Sequence, residues 1–154
     1  MKKILCSALA GLLLLAVCAG CSKKEEGEAN TSFPPEETVQ ALLDSGAFSE
    51  PLEELDPALL FHLEGEDYAG SVLYFSTGAT SEAAAVIAAK DVDQAGAVKE
   101  ALSAWVDAQI EATRNYQPAE VEKLEHAILE VRGNTVLLAV AADWEKAEAA
   151  VPAK

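Results

Sequence analysis

One residue in this chain is placed for a covalent reaction. Cys21 closes the stretch Val17-Cys18-Ala19-Gly20-Cys21. Small Ala19 and Gly20 suit a peptidase pocket that admits little bulk, and Cys21 then offers the thiol that takes a diacylglycerol thioether. Upstream, Met1-Lys2-Lys3 is a short basic start, and Ile4 to Ala19 is an apolar run interrupted only by Ser7 and Gly11. A basic start, an apolar middle and a small-residue cleavage site make a secretory signal. The run is marginal for spanning a bilayer, which needs about 20 apolar residues. Residues 1–20 are therefore expected to be a lipoprotein signal peptide cut between Gly20 and Cys21. Cys6 and Cys18 leave with it, so Cys21 becomes the only thiol of the mature chain, and lipidation explains an otherwise unpaired cysteine.

The other reactive side chains are arranged less tellingly. Ser76, Thr77, Thr80 and Ser81 lie close together, but no Gly-x-Ser-x-Gly elbow surrounds a serine and no base stands near. Hydroxyls at a turn usually bond local backbone. His62 and His126 are the only imidazoles and stand far apart, whereas zinc wants three or four clustered ligands. Asp91-x-Asp93-x-x-Gly96 opens like a calcium loop, yet Ala95 fills the third ligand position and Leu102 stands where the bidentate glutamate belongs. Helix capping explains the two aspartates better. Glu64, Glu66 and Asp67 read as a solvated acidic loop. No metal or other cofactor is expected. Acids are plentiful enough that a carboxylate pair for glycoside hydrolysis stays open, and for the same reason no single pair stands out.

Charge narrows the partners. The formal charge is −15, and losing Lys2 and Lys3 with the signal takes it to −17. That much negative charge repels nucleic-acid phosphate and anionic headgroups, so no nucleic-acid partner is expected. Membrane attachment falls to the lipid on Cys21 alone, a palmitate-labelled anchor on the outer, extracytoplasmic face of the cell membrane.

Ser22 to Glu37 is charged, polar and proline-containing, so residues 21–37 read as the lipidated cysteine and a flexible acidic linker. Residues 38–154 read as one domain. Short helices are expected over Thr38 to Leu43 and, capped by Asp56-Pro57, over Pro57 to His62. Gly70 to Ser76 and Glu82 to Ala89 read as a hairpin. Val98, Leu102, Trp105, Val106 and Ile110 step by three or four and put one apolar face on a long helix, Gln94 to Arg114. Trp105 is then a core residue, while Trp144 and Tyr116 are the aromatics free to reach a surface. A short acidic helix, Ala119 to Leu124, precedes a second hairpin, His126 to Arg132 and Thr135 to Ala141, turning at Gly133-Asn134. Asp143 caps a final helix, Trp144 to Ala150. The expected class is α+β: a mainly antiparallel four-stranded sheet of two hairpins, one long central helix, a C-terminal helix and short N-terminal helices. The first and fourth strands are apolar on both faces, so the second sheet face must be covered by the N-terminal helices or by a partner.

Several of these features together resemble an uncharacterised bacterial lipoprotein family, domain of unknown function 4358. They are the Cys21 motif, Ser76-Thr77-Gly78-Ala79-Thr80 followed by Glu82, then Gln109, Tyr116 and Pro118, and Gly133 between two apolar strands. The resemblance spans about Thr38 to Ala150. It implies a small secreted lipoprotein of a kind common in Gram-positive bacteria, and it brings no established activity or catalytic residues.

The sequence favours a non-enzymatic binding or interaction module, with an envelope protein or glycan as partner. Ser76, Thr77, Thr80 and Glu82, joined by Gln109 and Tyr116, are the expected contact residues, because packing gives turn residues little reason for their identity. Two alternatives stay open on the sequence: a carboxylate-dependent hydrolase of envelope polymer, which needs a deep cleft with two carboxylates and no cation, and an assembly factor, which needs an exposed apolar sheet face.

Overall fold

A computed structural model describes residues 32–63, 68–78 and 80–153. The signal segment, Cys21, the first ten residues of the linker, the Glu64–Asp67 loop and Ala79 lie outside the described residues. The chain runs α1 (Pro35–Asp44), β1 (Glu53–Glu54), α2 (Pro57–Phe61), β2 (Val72–Phe75), β3 (Ala83–Ala88), α3 (Val92–Thr113), α4 (Pro118–Glu125), β4 (Ile128–Arg132), β5 (Thr135–Val140) and α5 (Trp144–Ala150).

Local chemistry starts three of these helices where the sequence marks them. The side chain of Asp56 accepts from the Ala58 amide at 2.9 Å, with Pro57 at the first helical position. That of Asp91 accepts from the Gln94 amide at 2.8 Å, and Gln94 reaches back to accept from the Lys90 amide. Asp143 accepts from the Lys146 amide at 3.1 Å.

The strands form one antiparallel sheet in the order β1-β2-β3-β5-β4. The class is α+β, but the sheet has five strands where the sequence indicated four. The additional strand, β1, is two exposed glutamates paired with Phe75 and Tyr74. Backbone alone makes that pairing, so no apolar alternation announces it. The two hairpins join through β3 and β5, whose six-residue ladder runs from Ala83↔Val140 to Ala88↔Thr135.

Helices cover both faces of the sheet. On one, Ala95, Val98, Leu102 and Val106 of α3 pack with Phe61 against Leu73, Ile87 and Leu138. Trp105 joins this core edge-on to Phe61 and Phe75, with ring centroids 5.4 and 5.9 Å apart. On the other face, Val39 and Leu42 of α1, Phe33 before it and Ala147 of α5 lie over Ala84, Val86, Leu137 and Ala139. The alanines of β3, poor strand formers, are held between two helical layers where bulk would push the layers apart. Among the described residues the sheet has no exposed apolar face.

One boundary moves. Residues 32–37 belong to the domain and not to the linker. Pro35 stands at the first turn of α1, a favourable place for proline. Phe33 is buried, its amide donating to Thr135 Oγ1 at 2.8 Å. The side chain of Ser32 meets that of Asn134 at 2.8 Å. A linker composition conceals one aromatic anchor. The chain therefore joins the domain beside the β4–β5 turn, where Gly133 takes the left-handed conformation (φ 54°).

Candidate functional site

The opposite end of the β3–β5 ladder carries the hydroxyl-rich turn. Five steps of a strand separate the two ends, about 17 Å. The Ser76 amide donates to the Glu82 carbonyl at 3.0 Å, closing the loop between β2 and β3. The side chains of that loop converge on two carboxylates.

Glu50 is the outer one. Its Oε1 accepts from the hydroxyls of Ser76 and, at 2.8 Å, Thr80. Ser76 Oγ in turn accepts from the Gly78 amide at 3.2 Å. Gly78 permits a close approach of Glu50: a Cβ there would sit 2.7 Å from the present position of Glu50 Oε2. The two hydroxyls, with a lesser contribution from the charge of Lys123, hold the Glu50 carboxyl below the usual carboxylate range against the opposing effect of burial.

Glu82 is the inner one and is wholly buried. It accepts from the Ser49 amide at 2.9 Å, the Ser49 hydroxyl at 2.6 Å and the Lys123 ammonium at 2.8 Å. It thus ties the segment after α1 to α4, the two layers that cover opposite sheet faces. Lys123 also pairs with Glu120 at 2.9 Å, and Glu120 accepts from the Ser81 amide at 2.7 Å. Burial opposes the charge on Lys123, but hydrogen bonds to Glu82 and Glu120, and their charges, outweigh it and raise its pKa. One ammonium pairs with two carboxylates.

Beside Glu50 opens a depression of about 440 Å³, lined by Leu43, Gly46 and the run from Phe48 to Leu52. Its walls are mostly apolar. Glu50 is the one acid on its lining among the described residues.

Of the residues singled out from sequence, Ser76, Thr80 and Glu82 meet in this network. Ser76 and Glu82 are buried in it, so neither presents a surface, and Thr80 is half-buried. Thr77 is exposed at the tip of the loop. Gln109 on α3 is half-buried and Tyr116 is 86% exposed, and no hydrogen bond joins either to the network. Ser49, Glu50, Glu120 and Lys123 were not singled out. Lys123 had a signal, as the one cation of the acidic α4. Glu50 had a fainter one: a glycine flanked by two hydroxyls leaves room for an acceptor.

The network holds charge and is poorly made for moving protons. Lys123 is tied to two acids and held cationic, so it cannot take a proton from Ser76. His62 ends α2, and His126 stacks on Trp144 with centroids 3.9 Å apart, both outside the network. No three His, Cys, Asp or Glu side chains are placed to share a metal ion among the described residues.

Fold and site together define a single α+β domain with a charged, hydroxyl-laced pole beside an open apolar depression. A family model for a domain of unknown function, DUF4358, matches residues 51–141, more than half of the chain, and the chain belongs to that family. The match takes in all five strands with α3 and α4, while α1, α5, Ser49 and Glu50 lie outside it. No curated protein and no solved structure matches the chain.

Proposed function

We propose that this chain is a lipoprotein anchored through Cys21 on the outer face of the cell membrane, and that its domain is a non-enzymatic binding module. The contact surface is the pole formed by Glu50, Thr77, Gly78, Thr80 and the adjoining depression. One observation carries the reading: Glu50 is fixed as an ionised carboxylate by two hydroxyls at the rim of an apolar hollow, with no histidine bonded to it among the described residues. A hydrolase using two carboxylates needs both facing the substrate without a cation, whereas Glu82 and Glu120 here share Lys123. The pole also lies at the far end of the central strands from Phe33, where the anchored chain joins the domain. A domain tethered there displays its contact surface away from the bilayer.

The test places a photo-crosslinking residue at Leu52, in the depression, and at Lys99 on the exposed face of α3, in the full chain expressed in cells. A discrete adduct from position 52 that is lost in Glu50→Gln, with nothing comparable from position 99, is the expected result. Equal adducts from both positions would remove the case for this surface. Labelling with a palmitate analogue, abolished by Cys21→Ser, checks the anchor separately.

A further inference from the structure

The depression and its surroundings share one electrostatic sign, and that sign specifies an occupant. Helix α1 ends at Asp44 with no basic residue in its last turn; the Ser45 amide and hydroxyl donate to the Leu42 carbonyl, but no cation of that turn offsets the partial negative charge of the C-terminus next to Gly46 at the depression. Glu50 rims the depression. Directly beyond Leu52, Glu53 and Glu54 are both exposed on β1. Lys123, the nearby cation, is committed to Glu82 and Glu120. An ionised acid and a helix C-terminus around apolar walls of Leu43, Phe48 and Leu52 suit a ligand with an apolar stem and a positive head. Arginine and lysine side chains have that form. The volume, about 440 Å³, is within the range of small-ligand sites and is ample for one such side chain with an apolar neighbour.

The sheet edge says on what the cation is carried. β1 is the terminal strand of the sheet order, and its outer side pairs with no other strand among the described residues. An extended peptide can add to such an edge through its backbone while alternate side chains enter adjoining pockets. Backbone pairing of that kind is open to a polypeptide and closed to a polyamine or an amino-sugar polymer.

We propose that the pole binds an extended, arginine- or lysine-bearing segment of a protein partner, with a basic side chain seated beside Glu50 and the segment lying along β1. This rests on the binding-module reading and gives it a partner chemistry.

The probe is a fluorescein-labelled octapeptide of alternating arginine and valine, titrated by fluorescence anisotropy against the full chain in a non-ionic detergent. A strongly acidic protein attracts any cation, so the comparison is between variants of equal charge. Glu50→Gln is expected to weaken binding at least tenfold, and Gly78→Ala, which displaces the Glu50 carboxylate without changing charge, to weaken it several-fold. Glu148→Gln on the exposed side of α5 removes the same charge and is expected to change affinity less than twofold. Equal losses in Glu50→Gln and Glu148→Gln would overturn the proposal, since binding would then be diffuse attraction. A glucosamine oligomer that binds in a Glu50-dependent way while the octapeptide does not would overturn it too, replacing a protein segment by a glycan. Thermal melts of each variant separate lost binding from lost folding. If the octapeptide fails but the Glu50-dependent adduct at position 52 persists in cells, the cationic occupant is wrong and the binding module stands. If both fail, the module reading falls with it.

Discussion

The two ends of the β3–β5 ladder both carry a cation among acids and carbonyls, yet they are built to opposite ends. At the β4–β5 turn, Arg132 is buried and closed in. Its guanidinium faces the Glu130 carboxylate at 2.9 and 3.3 Å, donates to the Pro152 and Ala153 carbonyls at 2.7 and 3.3 Å, and lies 4.2 Å from the centre of the Phe33 ring. Both ends of the domain are clasped to one side chain. At the β2–β3 loop, Lys123 joins the acids Glu82 and Glu120, while the third acid, Glu50, is held by hydroxyls at the edge of an open depression. The first arrangement uses the planar fork of arginine to tie the first and last segments of the domain. The second uses a lysine to make a buried acid tolerable and leaves another acid at the rim. On the proposed function, the first pole is structural and the second is the one presented.

Breaking the presented pole from below has the largest expected effect. Lys123→Met keeps the apolar stem but leaves Glu82, with no solvent exposure, without its cation. Removing one partner of a buried pair costs about 3–5 kcal/mol, read as a lower urea midpoint with an unchanged slope. A loss below about 1 kcal/mol would mean that water reaches Glu82 and that both acids, Glu82 and Glu50, are open to solvent. The next effect is at the other pole. Arg132→Ala leaves two carbonyls and the Phe33 ring without their partner, and a cost of about 1–3 kcal/mol is expected. Amide hydrogen exchange should quicken at Phe33, Val151 and Ala153 and stay unchanged in the 76–82 loop. Faster exchange in both places would show that the poles are coupled and not separate devices.

The poles were also unequally legible in the sequence. The Gly133-Asn134 hairpin, the long helix with Val98, Leu102 and Val106 inward, and the capping aspartates follow from turn chemistry and periodicity, which act over a few residues. The charged pole depends on contacts across 26 to 41 positions, such as Ser76 with Glu50 and Lys123 with Glu82. A run of hydroxyls and one acid drew notice at Ser76 to Glu82, but which carboxylate the hydroxyls would hold is a tertiary fact. Glu82 looked like a surface residue because glutamate usually is one; a lysine forty-one positions away is what allows its burial. β1 escaped for a related reason, since backbone pairing to β2 needs no side-chain pattern. Phe33 escaped because its neighbours have the composition of a linker.

A smaller perturbation moves the rim acid alone. Gly78→Ala puts a methyl group 2.7 Å from the present position of Glu50 Oε2, and the end of a glutamate side chain can swing away at little cost. Stability should change by less than about 1 kcal/mol. The Glu50 carboxyl, followed by NMR as pH is lowered, should titrate closer to the ordinary glutamate value, because displacement weakens the two hydroxyl bonds that lower it. Unchanged titration would show that the hydroxyls are not what holds the charge.

The smallest effects are in the pH dependence of stability, where the two kinds of group carry opposite signs. Lys123 has a folded-state pKa raised above its unfolded value, so its stabilisation is full below about pH 10.4 and is lost as pH climbs through the higher folded value. Glu50 and Asp143 have folded-state pKa values lowered, Glu50 by the Ser76 and Thr80 hydroxyls and Asp143 by the Lys146 side chain and amide. Their stabilisation is present above about pH 4 and is lost as pH falls through the lower folded values. The native chain should therefore lose stability at both extremes of pH. Glu50→Gln should flatten part of the acid limb and leave the alkaline limb in place, since Lys123 keeps Glu82 and Glu120. If the alkaline limb vanished as well, the rim acid would be helping to hold the lysine, and the pole would be one three-acid unit in place of an inner pair with a separately held outer acid.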